Sequence, residues 1–141
     1  MTELRLTADG ERALREAENF CWHMNVAIEA PEHLLAGALV VLAEEGWTSL
    51  PPRESIEAAL EMIVGRGSAG LTDNVMPGPA ARVALNHAVR AVREAGHTTI
   101  DARAIAVGVI DSGELHPMFA GALGTTSDEL RRRIASHRGK G

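Results

Sequence analysis

The sequence has little that could cross-link the chain or anchor it in a membrane. It contains one cysteine, Cys21, so an internal disulfide is excluded. No apolar run reaches the roughly 18 residues of a transmembrane helix, and no basic-then-apolar leader is present. These two absences lead us to expect a soluble protein of the cytoplasm, with no membrane partner.

Aromatic residues are also scarce, with two Phe, two Trp and no Tyr among 141 residues. Ala, Leu, Ile and Val must therefore fill the core, and small side chains suit helices that pack closely. The apolar fraction of 45% and the charged fraction of 23% are those of an ordinary globular protein. We expect one domain over residues 1–141.

The net charge of −5 argues against a general nucleic-acid surface. One basic cluster stands at the C-terminal end, and it consists of Arg131, Arg132, Arg133, Arg138 and Lys140. It has two interpretations. It is either a solvated last turn that favours the helix dipole or a tail that touches a partner or nucleic acid.

The chain contains an internal repeat, which is the strongest signal in the sequence. Shifted by 71 positions, residues 6–39 lie on residues 77–110 without a gap. Matching pairs include Ala13 with Ala84, Leu14 with Leu85, Ala17 with Ala88, and Gly37 with Gly108. Two copies predict a pseudo-twofold domain rather than a solenoid. We place the first repeat at residues 6–64, the linker at 65–76 and the second repeat at 77–137.

The apolar spacing predicts an all-α fold of seven or eight helices, about four in each half. Thr7 and Asp101 are positioned to cap helix starts, and Pro31 suits a first helical position. Residues 34–43 are apolar almost all round, so this helix should be the buried centre of the first half. No segment alternates for long enough to predict a strand.

Residues 31–39 read PEHLLAGAL and follow a helix that opens with Leu6-Thr7. This pattern, repeated in the second half with a drifted ARAIAVGVI at residues 102–110, resembles the Clp N-terminal domain of Clp-type AAA+ unfoldases. The resemblance covers residues 6–134. The first half departs from the family plan because residues 46–52 replace the third helix, which the second half keeps at 117–123.

The resemblance implies a non-enzymatic protein-interaction domain that binds substrates, adaptors or regulators of a Clp-type protease or chaperone system. A phosphate-binding G-x-x-x-x-G-K-[ST] loop is missing, because GRGSAG at residues 65–70 lacks the Lys and the hydroxyl. We therefore expect a stand-alone relative with no ATPase activity and no cofactor. The alternative is a small-ligand-binding or transcription-related regulatory module that reuses the fold.

The resemblance also implies a candidate ligand site at Thr7, Glu32 and His33. In some Clp N-terminal domains the matching Thr and Glu help to bind phosphoarginine on tagged substrates. Their counterparts in the second half are Gly78 and Arg103, which lack the hydroxyl and the carboxylate. The site is therefore expected once, in the first half. The structural alternative is a helix-start carboxylate and a His that bonds a neighbouring loop.

Three further residues are candidate contacts for a protein partner, namely Trp22, Trp47 and Arg103. Both tryptophans fall off the clearest core stripes, so they are either exposed anchors or packing at the seam between the halves. Cys21 lies on an apolar stripe and is interpreted as a buried small hydrophobe. The histidines show no ligand spacing, so no metal site is expected.

Overall fold

The computed structural model describes residues 4–47, 49–67 and 75–136. These residues form seven helices, which confirms the predicted all-α class. The helices are α1 (Ala8–His23), α2 (Pro31–Glu44), α3 (Arg53–Ile63), α4 (Pro79–Glu94), α5 (Ala102–Asp111), α6 (Phe119–Ala122) and α7 (Ser127–Ser136). Most of the predicted linker, together with Arg138 and Lys140, lies outside the described residues.

The helix starts follow the capping chemistry of the sequence. The Thr7 hydroxyl accepts a hydrogen bond from the Gly10 backbone N–H at 3.1 Å, and the Asp101 carboxylate accepts one from Ala104 at 2.8 Å. Each bond satisfies an N–H that the helix itself leaves free. Gly96, with φ of 79°, follows the end of α4 in a left-handed conformation that glycine adopts without strain.

Helix α2 is the centre of the molecule, as its sequence predicts. Every residue from 31 to 42 is buried, and α2 packs against both α1 and α5. Gly37 permits the contact with α1, because a Cβ there would lie 2.2 Å from the Ala13 carbonyl oxygen. Gly108 plays the same part in the second half, where a Cβ would lie 2.3 Å from the Cβ of Ala88.

The sequence did not predict four two-residue strands: β1 (Arg5–Leu6), β2 (Ile28–Glu29), β3 (Met76–Pro77) and β4 (Thr99–Ile100). β1 pairs with β4 and β2 pairs with β3, both in parallel. Each pair joins the start of one half to the helix–helix loop of the other. Two residues are too short for an alternating pattern, so this signal was not available in the sequence.

The first half contains three described helices and the second half four, in agreement with the predicted loss of one helix. Trp47 and Leu50, only 7% and 8% exposed, fill space in the segment that replaces it. In the second half, α6 carries the fully buried Phe119 and packs against α3. No helix in the described part of the chain is long and apolar enough to cross a membrane.

Replacing Gly37 with Ala should lower the free energy of unfolding by about 1–3 kcal/mol, because the added Cβ forces α1 away from α2. The matched control is Gly121→Ala in α6, where a Cβ would meet nothing within 4 Å. We expect that variant to be as stable as the wild type or slightly more stable. Urea unfolding followed by circular dichroism measures both, and equal midpoints for the two variants would contradict the close-packing argument.

Candidate functional site

The strand pairs create two places where helix starts from both halves meet. We call them the first seam, at the β1–β4 pair with the starts of α1 and α5, and the second seam, at the β2–β3 pair with the starts of α2 and α4. Thr7 belongs to the first seam, since its N–H donates to the Ile100 carbonyl at 3.0 Å. Glu32 belongs to the second seam, where the Gly78 N–H donates to Glu29 at 2.9 Å.

The structure therefore places Thr7 and Glu32 at different seams and does not bring together the two residues of the site expected in the first half. An ion pair between Arg12 and Glu44 sets the start of α1 beside the end of α2. Glu32 lies in the opposite, first turn of α2. At 1.5 Å of rise per residue, the 12 residues from Glu32 to Glu44 span roughly 18 Å. One small ligand cannot reach both side chains.

At the first seam, the chain's own carboxylates occupy the helix starts. The Thr7 hydroxyl is hydrogen bonded to Asp9, and an Asp9 carboxylate oxygen accepts a bond from the Ala102 N–H at 3.4 Å. Burial, followed by the proximity of Asp9, raises the pKa of Glu45 at this seam. A phosphate that approached Thr7 would meet negative charge where a phosphate site needs free N–H groups.

At the second seam, Glu32 is 5% exposed and bonded within the fold. Its carboxylate accepts a hydrogen bond from the backbone N–H of His116 at 2.6 Å, which ties the start of α2 to the loop between α5 and α6. The carboxylate is thus a helix-start group that joins the two halves. This geometry matches the structural alternative. A role for Glu32 in ligand binding stays a prediction.

The residue before α2, Ala30, has no side chain that can cap the helix, and His33 supplies a capping hydrogen bond instead. The side chain is fully buried, and its Nδ1 accepts a hydrogen bond from the Ala30 N–H at 2.9 Å. Burial lowers the pKa of His33 to about 4, so the ring is neutral at physiological pH. With Nδ1 as the acceptor the proton sits on Nε2, which has no partner among the described residues. His33 is part of the core rather than an accessible ligand.

Sequence analysis missed Glu29, a buried carboxylate in β2. Its side chain is 6% exposed, and Oε2 has no hydrogen-bond partner among the described residues. Burial and, to a lesser degree, the charge of Glu18 raise the pKa of Glu29 to about 7. The same burial, with Glu29 and Glu18 nearby, raises the pKa of the Cys21 thiol to about 12. Cys21 is therefore a protonated core residue, as expected, and not a thiolate nucleophile.

The three candidate partner contacts have different environments. Trp22, in the last turn of α1, is 42% exposed and remains available to a partner. Trp47 is 7% exposed and packs into the core, which favours the packing alternative over an exposed anchor. Arg103 is half-buried, and its guanidinium donates to the Ala135 carbonyl near the end of α7.

The arginines of α7 are engaged within the fold. Arg131 bonds Asp111 at 2.6 Å, and Arg133 bonds both Glu129 and the Ser49 carbonyl at 3.1 Å. Arg132 pairs with Glu129 as well. These contacts favour the interpretation of a solvated, paired helix end over a nucleic-acid surface. Within the described ranges, no three His, Cys, Asp or Glu side chains form a group that could hold a metal ion.

The pH dependence of stability should reveal two opposing groups. The raised pKa of Glu29 contributes stability that is complete below its unfolded value and is lost as the pH rises toward about 7. The lowered pKa of His33 contributes stability that is complete above about 6.5 and is lost as the pH falls toward about 4. Between these limits the two slopes oppose each other.

Glu29→Gln should remove one slope and leave the other. Urea unfolding of this variant at a series of pH values should show a free energy of unfolding that rises with pH up to about 6.5, because the slope from His33 remains. Between about pH 4 and about pH 8, the free energy of unfolding of the variant should rise by about 1–3 kcal/mol relative to that of the wild type. The exposed Glu57→Gln is the control, and a gain of equal size in that variant would contradict the assignment to Glu29.

Of the comparisons with known proteins, the one with solved structures indicates the fold. No protein-family model and no curated protein sequence matches the chain. Among solved structures, the chain is similar to the N-terminal domain of the caseinolytic protease associated chaperone ClpD from Arabidopsis thaliana, with a TM-score of 0.72, 17% identity and coverage of 94% of this chain and 93% of that one.

A second solved structure with the same arrangement is the Hsp104 N-terminal domain from Candida albicans. Its TM-score is 0.69 at 14% identity, and the match covers 94% of this chain and 90% of that domain. Both matches span nearly the whole of each chain, including both halves of the repeat. The protein, whose seven described helices form two halves joined by short parallel strand pairs, has the fold of a Clp N-terminal domain.

Proposed function

We propose that this protein is a non-enzymatic, cytoplasmic protein-interaction domain that binds clients, adaptors or regulators of a Clp-type protease or chaperone system. Two similar structures support this proposal, one of them the domain of a chaperone associated with caseinolytic protease. The resemblance of residues 31–39 to the Clp signature supports it independently. The chemistry of Cys21, buried and protonated, gives no support to a thiol-dependent enzyme.

The observation that carries the proposal is an exposed apolar pair at the second seam. Ile28 and Met76 lie opposite each other in the β2–β3 pair and are 58% and 52% exposed. A single exposed apolar side chain is ordinary, but two in register on a rigid strand pair offer a continuous surface to an apolar segment. Trp22, at the end of α1 that leads into β2, adds an exposed aromatic ring.

Phosphoarginine is not the ligand that this geometry favours. The first seam offers the Thr7 hydroxyl, but that hydroxyl is hydrogen bonded to the Asp9 carboxylate, and the facing helix α5 has Arg103 at the repeat position that corresponds to Glu32. The second seam offers the Glu32 carboxylate but has Gly78, without a hydroxyl, at the facing helix start. Neither seam combines a group for the phosphate with a free carboxylate for the guanidinium.

Titration with free phosphoarginine should therefore show no saturable binding by calorimetry up to millimolar concentration. Glu32→Ala is the paired variant, since it removes the carboxylate that the resemblance assigns to the guanidinium. Submillimolar binding by the wild type that disappears in Glu32→Ala would overturn this expectation and restore phosphoarginine as the ligand.

The proposed function predicts binding of unfolded protein. A fluorescently labelled, chemically unfolded protein should bind the wild type, as measured by anisotropy, and Ile28→Ser with Met76→Ser should weaken binding about tenfold or more. Met62→Ser is the matched control, because Met62 is 73% exposed on α3 and away from the strand pair. Absence of binding by the wild type, or equal losses in the double variant and the control, would count against the proposal.

A further inference from the structure

The second half contains a pocket where the first half has buried side chains. The pocket has a volume of about 490 Å³ and lies beside the first seam, between α4, α5 and the end of α7. Its wall is mostly apolar, with Ala88, Val92 and Val107 among the lining residues. The polar residues that line it are His97, Thr99, Asp101 and Arg103. A volume of this size suits one large side chain and its backbone.

The repeat explains why the pocket exists. Phe20, Met24 and His33 of the first half are 4%, 3% and 0% exposed. At the shift of 71 positions their counterparts are Ala91, Ala95 and Ala104, all of which line the pocket. Three large side chains have thus become methyl groups at equivalent positions.

The helices have not moved together to close this space. Gly108 and Ala88 already bring α5 against α4 at the distance of backbone contact, since a Cβ on Gly108 would lie 2.3 Å from the Ala88 Cβ. Their close packing fixes the floor of the pocket. The truncated side chains at Ala91, Ala95 and Ala104 consequently leave an open apolar depression rather than a collapsed core.

Two charged side chains, Asp101 and Arg103, line the polar side of the pocket. The Arg103 guanidinium donates to the Ala135 carbonyl and makes no ion pair among the described residues. The nearby Asp101 carboxylate is used as the cap of α5, where it accepts the Ala104 N–H at 2.8 Å. A half-buried guanidinium with free N–H groups beside an apolar depression suits a ligand that joins a carboxylate to an apolar side chain.

We propose that this pocket binds the C-terminal residue of a partner protein, with an apolar side chain in the depression and the terminal carboxylate on Arg103; the proposal rests on the protein-interaction function proposed above. A chain terminus places a carboxylate and a side chain on a single residue, which matches one guanidinium beside one depression. A longer acidic segment fits less well, because the protein carries a net charge of −5.

The probes are the tripeptide acetyl-Ala-Ala-Leu with a free C-terminal carboxylate and the same tripeptide as its C-terminal amide. Each is titrated into the full chain at low ionic strength, and backbone amide shifts are followed by NMR. The carboxylate form should bind about tenfold more tightly than the amide, because only the carboxylate makes charged hydrogen bonds to Arg103. The shifts should cluster at Val92, Thr99 and Val107. Equal binding of the two forms would overturn the proposal.

Two variants test the pocket itself. Ala91→Phe with Ala95→Met restores the side chains of the first half and should abolish binding of the tripeptide. Ala58→Phe, at an exposed alanine of α3 outside the pocket, should bind as the wild type does. Arg103→Gln should reduce the preference for carboxylate over amide to about one, a ratio that loosening of α7 alone would not change. Unchanged binding in the pocket-filling variant would overturn the proposal.

A second copy of the chain is the competing occupant. Sedimentation should show a monomer; a dimer that Ala91→Phe with Ala95→Met dissociates would assign the pocket to self-association and overturn the proposal. The two proposals fail separately. Ile28→Ser with Met76→Ser should leave tripeptide binding intact. If the wild type binds the tripeptide but does not bind unfolded protein, the proposed general function is contradicted and the proposed pocket ligand is not.

Discussion

The close approach of α1 to α2 is the constraint on which the structure depends. Because the Ala13 carbonyl oxygen would lie 2.2 Å from a Cβ at position 37, any residue larger than glycine there forces these helices apart. This contact lets α2 be buried from residue 31 to residue 42 in a chain with almost no aromatic residues. Because α2 also packs on α5, the same helix links the two halves. The small residues let the helix backbones approach closely, so dispersion contacts come from this close packing instead of from large side chains.

The fold was accessible from the sequence because its signals are local and repeated. Helical spacing, the caps Thr7 and Asp101 and the 71-residue repeat each predict elements that the structure contains. The site was less accessible. Its geometry depends on the parallel pairing of β1 with β4 and β2 with β3, and two-residue strands leave no periodic signal. The sequence left both an exposed and a packed position open for Trp47, because its burial depends on how the segment that replaces the third helix folds back.

The two copies of the repeat differ in the side chains that they bury at equivalent positions. The first half places Phe20, Met24 and His33 in its interior and carries the cost of an unpartnered His33 Nε2 and a buried Glu29. The pKa of Glu29 is raised and that of His33 is lowered, so burial favours the uncharged form of each group instead of a charged pair. The second half has alanines at the matching positions and keeps open space there. At the three positions of Phe20, Met24 and His33, the first half thus has buried side chains where the second half has a pocket.

Because each strand pair joins the two halves, each seam combines residues from both copies of the repeat. If each half held its own ligand site, Thr7 and Glu32 would form one intact site and Gly78 and Arg103 one degenerate site. Because each seam takes one helix start from each half, Thr7 faces the helix of Arg103 and Glu32 faces that of Gly78. Substitutions in a single half therefore alter both seams at once. Gly78 and Arg103, both in the second half, thus lie one at each seam, although the first copy of the repeat has Thr7 and Glu32.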